Sequence, residues 1–77
     1  MINMSEKEKF IKKLEAERDL YNKRIEEYKR RKLEVMEGTK LTQTAKYLLV
    51  MEFSDIIQYD LGKVKKIDKL IEDIILL

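Results

Sequence analysis

The chain is predicted to be all-α, an antiparallel, coiled-coil-like helical hairpin that dimerises into a four-helix bundle. Three observations predict this. The 77 residues contain no Pro and only two Gly, so almost nothing interrupts a helix. Apolar residues recur at three-four spacing through both halves of the chain. The halves also differ in apolar content, with 11 apolar residues between Ser5 and Glu37 against 19 between Ala45 and Leu77.

The first helix is expected over residues 5–37. Ser5 with Glu8 three residues later has the pattern of a capping box. With Ile11 at position a of a seven-residue frame, the d positions are Leu14, Tyr21, Tyr28 and Val35. The a positions are Ile11, Arg18, Ile25 and Lys32. Two of these four are cationic, a departure from an apolar seam.

A loop follows at residues 38–41. Gly38 is suited to the left-handed conformation that ends a helix, and Thr39 or Thr42 can cap the next helix. The second helix is expected over residues 42–76. With Val50 at a, its seam reads Val50, Phe53, Ile57, Asp60, Val64, Ile67, Ile71 and Ile74. Gly62 lies inside this run and is a candidate kink or break, since glycine costs about 1 kcal/mol relative to alanine in a helix.

Folding at the loop brings seam charges together. Arg18 and Asp60 are expected to form an interhelical ion pair that fixes register. The same register places Lys23, Arg24, Lys29 and Arg30 near Glu52 and Asp55. It places Lys63, Lys65 and Lys66 near Glu15 and Glu17.

Composition narrows the chemistry. There is no Cys and no His, which removes disulfides, thiolate metal sites and the commonest general base. Ser5 and Ser54 have no histidine to activate them. No catalytic residue, metal site, cofactor or small-molecule substrate is expected, and the protein is not expected to be an enzyme. Charged residues make up 42% of the chain, yet the net charge is +2, a balance that reads as a solvated, ion-paired surface. The opening residues lack the pattern of a secretory leader. No apolar run approaches the ~20 residues of a membrane span. A cytoplasmic protein without membrane association is the expectation.

What remains is the apolar excess of the second half. One face of the second helix suffices to cover the first. Tyr47, Leu48, Met51, Tyr59, Ile75 and Leu76 are left over as interface candidates, and an apolar patch of that kind marks an interaction surface. The expected function is a small non-enzymatic interaction protein (an adaptor, regulator or inhibitor) that pairs with a second copy or with another protein. The alternative is a nucleic-acid-binding module that uses the basic face of the first helix: Arg24, Lys29, Arg30, Arg31 and Lys32.

Overall fold

The computed structural model describes residues 4–77, with side chains from Glu6 onward. Two long helices, α1 (Met4–Glu37) and α2 (Gln43–Ile75), lie antiparallel and pack along their length. The Cα trace measures 58 × 14 × 10 Å, little more than the ~51 Å rise of a 34-residue helix. The radius of gyration is 17.6 Å, against about 11–12 Å for a compact chain of this size.

The heptad frame accounts for which side chains leave water. In α1, Ile11, Leu14, Arg18, Tyr21, Ile25, Tyr28, Lys32 and Val35 are all at least partly buried. In α2 the same holds at every seam position from Val50 to Ile74. Ile25, Ile57 and Ile67 are the buried apolar side chains, and Asp60 has no exposed surface. The rings of Tyr28 and Phe53 pack at 5.4 Å between the helices, tilted by 54°, within the range of favourable aromatic geometry. The core is therefore one side chain thick.

Helix boundaries follow local chemistry. Thr42 is the N-cap of α2. Its backbone is extended, and its hydroxyl accepts from the Ala45 amide at 3.1 Å, which satisfies one of the amides that a helix start leaves unpaired. Thr42→Ala is expected to remove about 1 kcal/mol of stability and lower the thermal midpoint by about 4–8 °C, as a melt followed by circular dichroism would show.

Gly38 departs from expectation. No described glycine has a positive φ. The Gly38 amide instead donates to the Glu34 carbonyl at 2.9 Å, the bond of one more helical turn. Right-handed backbone thus continues past Glu37, and the reversal is made by residues 39–42. Met4 opens α1 one residue early, and the Ser5 side chain of the expected capping box lies outside the described residues. Gly62 does not break α2, which runs through it without interruption.

Candidate functional site: the uncovered face of the second helix

Each apolar residue predicted for an interface stands in solvent. Tyr47, Leu48, Met51, Tyr59, Ile75 and Leu76 range from 47% exposed at Met51 to 79% at Leu76. The cause is geometric. α2 meets one neighbour, and a single contact seam covers only the a and d positions of a helix. Tyr47 and Ile75 occupy the fifth heptad position, Leu48 and Leu76 the sixth, Met51 the second and Tyr59 the third. α1 leaves these six side chains uncovered.

The first helix adds to this surface in a way the apolar count overlooked. Phe10, Leu20, Leu33 and Met36 are 49–68% exposed. All four lie off the a and d positions, so the heptad frame itself could have flagged them. Met36 lines a shallow groove with Tyr47 and Val50 beside the loop. The accessible surface totals 6284 Å², about 1,300 Å² more than the ~5,000 Å² of a compact monomer of 9.3 kDa.

The seam charges pair differently from the expectation. Asp60 is held by Arg24, not by Arg18. The Arg24 Nε donates to Asp60 Oδ2 at 2.6 Å, and its Nη2 donates to Oδ1 in a bidentate fork. Arg18 donates from Nη1 to Asp68 Oδ1 at 2.8 Å. The physical reason lies in side-chain direction. If Glu37 at the end of α1 stands level with Gln43 at the start of α2, Arg24 is level with Ile56 and Arg18 with Gly62. Helical side chains lean toward their own N-terminus. In an antiparallel pair, each cation therefore leans to meet a carboxylate one turn or more beyond its own level.

The hydrogen bonds that Arg24 and Arg18 donate to Asp60 and Asp68 hold the two guanidinium pKa values above the ordinary arginine value. A raised cation pKa contributes stability that is fully present below the ordinary value and is lost only as pH rises through the raised one. Both pairs thus persist across the neutral range.

The remaining basic residues also depart from the expected cross-helix pairing with Glu52 and Asp55. Lys29 pairs with Glu26 at 3.7 Å, Arg31 with Glu27 at 3.0 Å, and Arg30 with both Glu27 and Glu34. These are i,i+3 and i,i+4 pairs along α1, each worth a few tenths of a kcal/mol. Arg31 also lies over the Tyr28 ring at 5.0 Å. Lys32 is partly buried at its seam position.

Among the described residues no cluster of three or more potential metal ligands occurs, and no helix is long and apolar enough to cross a membrane. Comparison with known protein families, curated proteins and solved structures finds no match.

Proposed function

We propose that this chain is a small non-enzymatic interaction protein that works by presenting a helical surface, and that it self-associates into a four-helix bundle with the second helices inside. The observation that carries this reading is the exposure of Tyr47, Leu48, Met51, Ile75 and Leu76 on a helix whose covered seam is already complete. Hydrophobic burial is the main driving force of association. A helix with apolar residues well beyond one stripe is suited to neighbours on several sides. The one-layer core supports the same conclusion, because a chain this small draws little stability from burial within itself.

Replacing Leu48 by Glu and Met51 by Lys is the direct test. Both positions are exposed in the hairpin, so the helix content of the double variant is expected to stay within a few per cent of the parent. Its self-association is expected to weaken by about a hundredfold, the effect of losing two interface anchors at 1–2 kcal/mol each. Unchanged association would remove this surface from the account.

Nucleic-acid binding is the second reading. It is favoured by the side-chain exposure of Arg24, Lys29, Arg30 and Arg31, at 46–62%. Against it, the four cations are already paired with carboxylates, which would compete with phosphate. Retention on DNA or RNA that falls steeply with salt would support it. The interaction reading expects weak retention at every salt concentration.

A further inference from the structure

We infer that the second copy packs antiparallel on the face of α2 that carries Tyr47, Leu48, Met51, Leu61, Ile75 and Leu76, with the twofold axis passing between Leu61 and Gly62. This rests on the self-association reading and specifies its geometry.

The face is defined by three neighbouring columns of the heptad. The fifth-position column is Tyr47, Ser54, Leu61, Asp68 and Ile75, and the sixth is Leu48, Asp55, Gly62, Lys69 and Leu76. Met51, Gln58, Lys65 and Glu72 run between them. Together they span an arc of about 100° on the helix, adjacent to the seam that α1 occupies. Apolar residues gather at both ends of the arc, at nearly equal distances from Gly62. That symmetric spacing is what a helix meeting its own copy head to tail requires, since a twofold interface is self-complementary.

In an antiparallel twofold pair each flanking column meets the same column of the copy. Centred at Leu61 and Gly62, the sixth column sets Leu48 against Leu76 and Asp55 against Lys69. The fifth sets Tyr47 against Ile75 and Ser54 against Asp68, with Leu61 meeting Leu61 on the axis. In the flanking columns apolar thus meets apolar and Asp55 meets a cation, while the central column sets Met51 against Glu72 and Gln58 against Lys65. Among the described residues Asp55 has no ion pair within the chain. A parallel pair would instead set the central column against itself, with Lys65 on Lys65 and Glu72 on Glu72, and like charges in contact are destabilising.

At the axis, Gly62 meets Gly62. A Cβ built there would find no atom within 4 Å, so nothing in the hairpin requires glycine. A glycine at a helix crossing lets two backbones approach closely.

The chain has no cysteine, so single cysteines report contacts directly. Under mild oxidation Leu61→Cys is expected to cross-link to itself. Tyr47→Cys is expected to cross-link to Ile75→Cys in a mixed sample and not to itself. Gly62→Leu is expected to keep or raise helix content while weakening association by about tenfold or more, the scale of an overpacking penalty. Self-linking of Tyr47→Cys in protein that sediments at twice its chain mass would overturn this crossing and leave the self-association reading standing. Undiminished association of Gly62→Leu would overturn it in the same way. A wild-type chain that sediments as a monomer at every concentration would overturn both.

Discussion

Arg24→Met is expected to destabilise the hairpin more than any other single surface-chain replacement, because it strands the Asp60 carboxylate. Asp60 has no exposed surface, and its two oxygens are held by the arginine fork. Removing the arginine leaves a buried carboxylate without its compensating charge, which is strongly destabilising. The loss is moderated because the Arg24 side chain is 46% exposed and water enters where it leaves. The companion variants separate this from ordinary packing loss. Asp60→Leu releases Arg24 to solvent and fills the seam, so it is expected to be near neutral. The double variant is expected to match or exceed the parent by up to about 4 kcal/mol, as when buried pairs are replaced by apolar residues. Chemical denaturation of the four proteins completes the cycle. If Arg24→Met melts like the parent, the ion pair has no structural weight.

Ile25→Ala is the second large effect. Ile25 is 3% exposed at the centre of the α1 seam, and truncating a buried isoleucine costs about 2–5 kcal/mol. In a core one side chain thick there is no second layer to collapse into the space. Ile25→Val, which removes one methylene, is expected to cost about 0.5–1.5 kcal/mol. Leu20→Ala, on the outer surface of the same helix at 68% exposure, is expected to fall within about 0.5 kcal/mol of the parent in the hairpin. Equal effects at Ile25 and Leu20 in denaturant titrations would contradict the seam.

Much of the fold was legible because the side-chain pattern and the helix repeat are the same signal. Three-four spacing named the buried residues of both helices, including the odd members Arg18, Lys32 and Asp60. Thr42 was legible as one of two cap candidates, with Thr39, because a hydroxyl before a helix has a specific amide to accept from. The arginine that would reach Asp60 was not legible, because backbone level and side-chain reach differ by a turn or more in antiparallel helices. Gly38 misled for a related reason. Glycine permits a left-handed turn but does not enforce one, and the Glu34 carbonyl was available to continue the helix. Of the candidate surface, the α2 residues were found by counting apolar positions beyond the seam. Phe10, Leu20, Leu33 and Met36 were missed because the first half was judged by its total rather than by heptad position.

Gly62 links these threads. A glycine within an otherwise unbroken helix, with open space around it and apolar clusters spaced evenly to either side, has no role in the hairpin alone. The proposed antiparallel crossing gives it one.

Whether the outer face of α2 is covered in solution is decided most directly by sedimentation equilibrium of the wild-type chain from low micromolar to near-millimolar concentration. The account predicts a mass that rises with concentration to twice the 9.3 kDa of one chain. A single species of one chain mass across the whole range would contradict it.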